Sequence, residues 1–244
     1  MPYMMGSFPD QGTATAIAEA YAEGGADLVE LGVPFSDPLA DGPAIHAADT
    51  EALAGGATLE SVLETCATIA ERVPVALMAY ANMALATGAV EFADKAVKAG
   101  ASGVIVPDLP LEERGSIGEA LDERGLALIP LVAPTTPPER RAEICAAARG
   151  FVYLVSTVGV TGERADLPPE LSELISAAKR EAEVPVAVGF GISTPEQVAT
   201  VGREADGVII GTRLVREVAE APDRDAAVRS VRDFLKTTRD AMAR

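Results

Sequence analysis

The sequence predicts one α/β domain, residues 1–244, folded as a (β/α)8 barrel. Eight short runs of apolar or β-branched residues alternate with longer stretches of helical period. The apolar runs are nearly continuous, which is typical of parallel strands buried on both faces. Eight such units in 244 residues match the size of one closed barrel. An open, doubly wound sheet is the alternative, but the even spacing of the units favours closure.

The eight predicted strands follow one another without a linker or low-complexity segment between them. They are PYMMGS (2–7), ADLVELGV (26–33), VALMAY (75–80), SGVIVPD (102–108), LALIPLV (126–132), FVYLVS (151–156), VPVAVGFG (184–191) and DGVIIG (206–211). A helical stretch follows each strand. Two of these helices are expected to begin in capping boxes with proline in the first turn, at TPPE (136–139) and STPE (193–196).

Composition excludes several classes of partner. The net charge of −17 disfavours nucleic acid and anionic membranes, and the absence of tryptophan disfavours base stacking. No apolar run is long enough to cross a bilayer, and no signal peptide is recognisable. Cys66 and Cys145 lie far apart in helical patterns, so we expect reduced thiols in a cytoplasmic protein.

A carboxyl group interrupts the second predicted strand. Glu30 lies near the carboxyl end of ADLVELGV, and barrels of this kind place their active sites at that end of the strands. Burial disfavours the charged form, so we expect a pKa raised toward neutrality, which suits a general acid–base group. The alternative is a polar residue satisfied by hydrogen bonds inside the barrel.

The loop that follows, residues 33–43, carries two aspartates among three prolines and a glycine. The prolines restrict the loop and would limit the disorder of a carboxylate held over the strand ends, so Asp41 is a candidate catalytic residue. Asp41 before Gly42 is also a common turn residue. For Asp37 before Pro38, the turn interpretation is the stronger one.

Glycines end the seventh and eighth predicted strands, in VGFGIS (188–193) and VIIGTR (208–213). Loops at these places in a barrel often bind phosphate through backbone N–H groups and a helix N-terminus. Such a cradle holds an anion with amide dipoles instead of lysine, which suits an acidic chain. Simple tight turns are the alternative. The candidate phosphate-binding residues are Gly189, Gly191, Ser193, Gly211 and Thr212.

The sixth predicted strand leads into a long loop within YLVSTVGVTGERADLPP (153–169). Its small residues and charged tip suggest a lid over a substrate, with an ordinary exposed loop as the alternative. The four lysines, at 95, 98, 179 and 236, fall in helical stretches, which disfavours a Schiff-base aldolase. His46 is the only histidine; it cannot form a multi-histidine metal site and is expected at the surface or as a helix cap.

Taken together, these motifs resemble the tryptophan synthase alpha-subunit family. The resemblance implies a barrel that cleaves indole-3-glycerol phosphate to indole and glyceraldehyde 3-phosphate, a retro-aldol step that uses no cofactor or metal in this subunit. It also implies a beta subunit that carries pyridoxal phosphate and receives indole through a tunnel, in an alpha2beta2 tetramer. The matching stretches are LVELGVPFSDPLADGP (28–43), LMAYAN (77–82), VPDLP (106–110), YLVSTVGVTG (153–162), GFGIS (189–193) and IIGT (209–212).

The resemblance also implies roles for individual residues. Glu30 falls on the catalytic glutamate that moves protons, Asp41 on the aspartate at the indole N–H, and Tyr153 on a tyrosine near the glycerol end. Thr161 falls on the lid residue that contacts the catalytic aspartate upon closure. The phosphate cradle is implied at Gly162, Gly191, Gly211 and Thr212, and the indole pocket wall at Tyr3, Leu77, Tyr80 and Leu109.

Two features depart from the family pattern. Position 157 is threonine where many members have arginine in the lid. The family has a short helix before the first strand, whereas this sequence begins at that strand, through truncation, a misplaced start or genuine loss. The bottom face of a barrel serves stability, so we expect lower stability and intact chemistry. Besides a lyase, two functions stay open: a subunit that mainly activates the beta partner, and another phosphate-binding barrel such as a ribulose-phosphate epimerase or phosphoribosyl isomerase. The lack of paired histidines argues against the epimerase, and the loop at 33–43 argues against both enzymes.

Overall fold

A computed structural model describes residues 1–157, 159, 161–163 and 168–242. Strands and helices alternate along the chain. The strands are β1 Tyr3–Met5, β2 Val29–Gly32, β3 Val75–Met78, β4 Gly103–Ile105, β5 Ala127–Ile129, β6 Leu131–Val132, β7 Val152–Val155, β8 Val186–Gly189 and β9 Gly207–Val208. The helices are α1 Gln11–Glu23, α2 Pro43–Ala54, α3 Leu59–Ile69, α4 Ala81–Thr87, α5 Ala89–Lys98, α6 Gly115–Glu123, α7 Pro138–Ala146, α8 Leu171–Glu181, α9 Pro195–Gly202, α10 Thr212–Ala219 and α11 Arg224–Met242.

Neighbouring strands pair in parallel and form two hydrogen-bonded sheets, β1 to β5 and β6 to β9. β5 and β6 are the two halves of the fifth predicted strand. They are divided at Pro130, which has no N–H to donate to the ladder but whose carbonyl accepts the Tyr153 N–H at 2.9 Å. A bridge between Pro2 and Ile210 joins the two sheets on the other side. The predicted (β/α)8 barrel is confirmed.

The register decides which side chains face the barrel interior. Tyr3, Glu30 and Ala76 lie side by side on β1, β2 and β3. Successive residues in a strand point to opposite faces, so Leu31 and Leu77 face the surrounding helices, where both are fully buried. Burial on both faces explains why the strands read as continuous apolar runs in the sequence.

The two predicted capping boxes have different outcomes. The box predicted at 193–196 lies one residue later in the structure: α9 begins at Pro195 with Thr194 as its N-cap, in a capping box with Gln197. The predicted box at 136–139 is wrong, because Pro137 takes the N-cap position of α7 and no side chain caps that helix among the described residues. The Thr136 hydroxyl instead accepts the Ala133 N–H at 3.0 Å and so closes the preceding turn.

The structure also places the two cysteines and the histidine. Cys66 in α3 and Cys145 in α7 are buried and free, in agreement with the expected reduced thiols. His46 is an exposed residue of α2. Over the described ranges, no helix is both long and apolar enough to cross a membrane. Within those same ranges, no three His, Cys, Asp or Glu side chains are grouped so that they could hold a metal ion.

Candidate active site

A narrow cavity, with about 400 Å³ of space not occupied by atoms, opens at the carboxyl ends of the strands. Glu30 and Asp41 line it. Glycines of three loops, Gly162, Gly191 and Gly211, line it as well. The cavity therefore brings the predicted acid–base groups and part of the predicted phosphate cradle into one place.

Glu30 is almost completely buried, with an exposed fraction of 2%. Its Oε2 atom has no hydrogen-bond partner within the part of the chain that the structure describes. Burial, and secondly the charge of Asp41, raise the pKa of Glu30 to about 8. The carboxyl group is therefore protonated at neutral pH, the state in which it can donate a proton into the cavity.

Asp41 lies half-buried near the end of the loop after β2, held by Tyr80. Its Oδ2 accepts a hydrogen bond from the Tyr80 hydroxyl at 2.8 Å, and the same hydroxyl oxygen accepts the Ala40 N–H at 3.0 Å. Burial raises the pKa of Asp41, although the Tyr80 hydrogen bond opposes this shift. Tyr80, predicted as part of the pocket wall, does not line the cavity. Its hydroxyl contacts Asp41, which does line the cavity.

The loop after β7 contacts the loop after β2 at Gly42. The Gly42 N–H donates to the Thr161 hydroxyl at 2.7 Å, and the Thr161 N–H donates to the Ala40 carbonyl at 3.4 Å. A Cβ atom at position 42 would overlap the Thr161 carbonyl oxygen, so the approach requires glycine. Thr161 thus lies over the residue next to Asp41. Positions 158, 160 and 164–167 of the predicted lid lie outside the described residues.

Two buried tyrosines share the cavity with Glu30. Tyr3 and Tyr153 both line it, and burial raises the pKa of each hydroxyl well above its ordinary value. A Cβ atom on Gly189 would lie 2.5 Å from the Tyr153 hydroxyl. Gly189, predicted in the phosphate cradle, does not line the cavity and instead makes room for the Tyr153 ring.

Gly162, Gly191, Gly211 and Thr212 form a part of the cavity wall that is rich in backbone groups. Gly191 has φ +74°, a conformation that favours glycine, and Gly211 is the N-cap of α10. Thr212 is the first residue of α10, and no side chain of the described residues caps that helix. An uncapped helix N-terminus beside glycine turns is suited to a phosphate group.

Ser193 is not part of this wall. Its N–H and its hydroxyl both donate to Oε1 of Gln197, at 2.8 and 3.3 Å, as part of the α9 cap. Its donors serve the start of the helix, and it does not line the cavity that holds the other predicted phosphate-binding residues Gly162, Gly191, Gly211 and Thr212.

Of the predicted indole-wall residues, Leu77 of β3 does not line the cavity. Leu77 points away from the interior, whereas Met78 lines the cavity. Met78 shares a face with Ala76, the register partner of Glu30, so strand alternation applied from Glu30 would have found it. Leu109 lines a separate groove together with Arg140, and not this cavity.

Phe190 is a cavity residue that the sequence analysis missed. It lies between two glycines with φ +72°, its ring packs edge-on against Tyr153, and its carbonyl accepts the Ser156 hydroxyl. A left-handed phenylalanine has no sequence signal. Ile45, Ile192 and Ile209 also line the cavity and were missed.

Barrels of this kind hold their active sites at the carboxyl ends of the strands, where this cavity lies. Fold and cavity together define a (β/α)8-barrel enzyme. The family profile described as "Tryptophan synthase alpha chain" matches residues 1–243. The chain therefore belongs to the tryptophan synthase alpha chain family, the carbon–carbon lyases that cleave indole-3-glycerol phosphate to indole and glyceraldehyde 3-phosphate in tryptophan biosynthesis.

Individual relatives agree with this assignment. The tryptophan synthase alpha chain of Synechococcus sp. (strain CC9902) is 47% identical over 224 residues, covering 91% of this chain and 83% of that protein. The Geobacillus stearothermophilus alpha chain is 45% identical over 227 residues, covering 92% and 84%. The crystal structure of tryptophan synthase subunit alpha from Legionella pneumophila str. Paris superposes with a TM-score of 0.90 at 36% identity, covering 99% of this chain and 91% of that one.

Proposed function

We propose that this cavity binds indole-3-glycerol phosphate, and that Glu30 moves the protons of its cleavage. The observation that carries the proposal is the unpartnered carboxyl oxygen of Glu30, which is buried inside the cavity. A carboxyl group that is protonated at neutral pH donates a proton to C3 of the indole ring and gives the indolenine form. The carboxylate left behind accepts the proton of the glycerol hydroxyl as the carbon–carbon bond breaks. The bonding electrons return to the ring, so indole and the aldehyde form with every atom accounted for.

Asp41 stabilises the positive charge that appears on the indole nitrogen when C3 is protonated. Tyr80 holds Asp41 in place through the 2.8 Å hydrogen bond, so the Asp41 carboxylate is already positioned when the charge develops. Tyr153 and Thr161 contribute to the glycerol end and the lid. Met78 and Tyr3 form the apolar wall for the indole ring, with Met78 replacing the predicted Leu77.

The phosphate group lies against Gly162, Gly191, Gly211 and Thr212. The uncapped start of α10 and the left-handed turn at Gly191 support this placement. Amide dipoles supply the local positive potential that a chain of net charge −17 otherwise lacks.

The proposal also covers the domain organisation, the location, the cofactor requirement and the partner of this chain. Residues 1–244 act as a single domain in the cytoplasm, and the cleavage uses no cofactor in this subunit. A tryptophan synthase beta subunit is the partner, in an alpha2beta2 tetramer, and pyridoxal phosphate belongs to that subunit. Membership of the alpha chain family supports the beta-subunit partner.

The Glu30→Gln variant tests the proposal. We expect indole release to fall at least about 1,000-fold, because glutamine preserves shape but holds no transferable proton. Glycerol phosphate should bind to the variant with nearly wild-type affinity, measured by calorimetry, because Glu30 is not part of the proposed phosphate wall, which consists of Gly162, Gly191, Gly211 and Thr212. The assay is run with and without beta subunit, so that activation by the partner is measured separately.

A matched control is Glu51→Gln, an exposed residue of α2 outside the cavity, which should release indole at the wild-type rate. Retained turnover in Glu30→Gln would remove Glu30 from proton transfer. Loss of glycerol phosphate binding in the same variant would show that phosphate binding depends on Glu30.

A further inference from the structure

A second buried carboxyl group, Asp49, lies just outside the cavity. It is 2% exposed and is the only charged residue on the buried face of α2, which otherwise presents Ile45, Ala48 and Ala52. Its Oδ2 atom is buried and has no hydrogen-bond partner among the residues that the structure describes. Such a half-satisfied carboxyl group costs free energy, and packing alone would favour an apolar residue at this position.

The other oxygen of Asp49 connects α2 to Asp41 through a series of contacts. Oδ1 of Asp49 accepts the N–H of Phe35, in the loop after β2, at 3.1 Å. The Phe35 ring stacks on Tyr80 with centroids 5.1 Å apart. The Tyr80 hydroxyl in turn donates to Asp41 at 2.8 Å. Asp49 thus fixes the start of the loop whose end carries Asp41.

We propose that Asp49 is a positioning residue: in its neutral form it anchors the loop of residues 33–42 at Phe35 and keeps Asp41 directed into the cavity, and its ionisation loosens this loop. The inference rests on the role of Asp41 in the proposed function. Asp49 itself does not line the cavity, so it acts through the loop and not on the substrate.

The surroundings of Asp49 favour its neutral form. Burial raises the pKa of Asp49 to about 7; the Phe35 N–H opposes this shift and the charge of Asp41 reinforces it. A neutral carboxyl group still accepts the Phe35 N–H, whereas ionisation places charge on an oxygen that water reaches only if the loop moves. Other titratable or charged groups on the elements around Asp49 are Tyr3, Glu30, Asp37, Tyr80, His46 and Glu51, and on α10, which packs against α2, Arg213, Arg216, Glu217 and Glu220.

Two substitutions in the full chain distinguish the effect of losing the Asp49 hydrogen-bond acceptor from the effect of losing its titratable charge. Asp49→Ala removes the acceptor, so we expect kcat for indole release to fall at least about 10-fold through misplacement of Asp41. The KM should change by less than about 2-fold, because the phosphate wall is untouched. Asp49→Asn keeps an acceptor oxygen without a titratable proton, so its kcat at neutral pH should stay within about 2-fold of wild type.

Hydrogen exchange of the loop provides a readout that a purely structural role would not give. Exchange of amides 33–42, corrected for intrinsic rates, is measured near pH 6 and near pH 8.5. We expect the wild-type loop to lose protection at the higher pH and the Asp49→Asn loop to keep it. This comparison decides the question even if Asp49→Ala does not fold, and it is independent of the titration of Glu30 in the activity assay.

Glu51→Ala is the matched control, because it removes one carboxylate from an exposed position of the same helix. It should match wild type in both measurements. Any of three results would overturn the inference. They are a wild-type kcat in Asp49→Ala, an equal loss of kcat in Asp49→Asn and Asp49→Ala, and pH-independent amide protection in the wild-type loop. Asp41→Asn is assayed in parallel. If Asp41→Asn retains turnover, the proposed role of Asp41 fails. If Asp41→Asn is impaired while the Asp49 variants are unaffected, only the positioning inference is refuted.

Discussion

The protonation of Glu30 links the chemistry of the site to the stability of the fold. Its pKa is about 8 in the folded chain, against an ordinary value near 4.5. Between these two pH values the folded state binds more protons than the unfolded state, so the free energy of unfolding falls as pH rises through this window. Keeping a carboxyl group ready to donate at neutral pH therefore lowers stability at alkaline pH.

This linkage predicts how Glu30→Gln changes stability. Glutamine has no ionised form, so the variant should lose less stability than wild type between about pH 5 and pH 8.5. At the higher pH it should be more stable than wild type by at least about 1 kcal/mol. Urea unfolding of both proteins at the two pH values measures the difference. Parallel pH dependence in the two proteins would contradict the raised pKa of Glu30.

At the residue scale, the sequence predicted the charged members of the site better than the apolar ones. Glu30 was identifiable because a carboxyl group in an apolar strand is costly, and Asp41 because prolines restrict its loop. Met78 was missed although strand alternation from Glu30 identifies it. Phe190 could not have been found, because its left-handed backbone results from the surrounding structure.

At the scale of elements, two loops meet at Ala40 and Gly42. The loop after β2 carries Asp41, and the loop after β7 carries Thr161. Gly42 donates its N–H to the Thr161 hydroxyl at a separation that leaves no room for a side chain. The contact brings the loop after β7 to the residue that follows Asp41, the proposed catalytic carboxylate.

Gly42→Ala should separate the two loops. We expect kcat for indole release to fall about 10- to 100-fold, because the added methyl group overlaps the Thr161 carbonyl and displaces both loops. The free energy of unfolding should change by less than about 1 kcal/mol, because surface loops yield more easily than a packed core. Steady-state kinetics and urea unfolding measure the two effects.

Gly55→Ala at the end of α2 is the control for Gly42→Ala. The backbone there is right-handed and the nearest atom to an added Cβ lies at 3.3 Å, so turnover should match wild type. Wild-type turnover in Gly42→Ala would show that the contact between the loops does not contribute to catalysis.

The order and type of the strands were predictable because each strand is a short, continuous apolar run. The division of the fifth strand was not recognised, although Pro130 within LALIPLV has no N–H for the ladder. The start of α7 was misplaced, because TPPE matches a capping box in sequence but Thr136 forms a turn instead. Local patterns thus fixed the elements, and their ends depended on tertiary contacts.

At the scale of the whole molecule, an acidic protein binds an acidic substrate. The net charge of −17 repels a phosphorylated ligand at long range, and the amide groups of the proposed phosphate wall attract it only at contact. Such an arrangement responds to salt in the opposite way from a site built of lysines.

We therefore expect kcat/KM for indole-3-glycerol phosphate to rise about 2-fold when sodium chloride is increased from about 10 to about 150 mM, because the screening length shortens from about 30 to about 8 Å. Binding of indole, which carries no charge, should not respond and provides the control. A steep fall of kcat/KM with salt would indicate a cationic side chain at the phosphate.

The closed barrel was predictable from the count and spacing of its strands. The sequence did not show that the wall consists of two hydrogen-bonded sheets that meet at Pro130 and at the bridge between Pro2 and Ile210. Glu30 and Asp41 belong to the first sheet and its loops, whereas Gly191 and Gly211 follow strands of the second. A ligand bound by both sets of residues would connect the two sheets. Its binding would therefore stabilise the closed barrel, and its release would weaken the barrel where the two sheets meet.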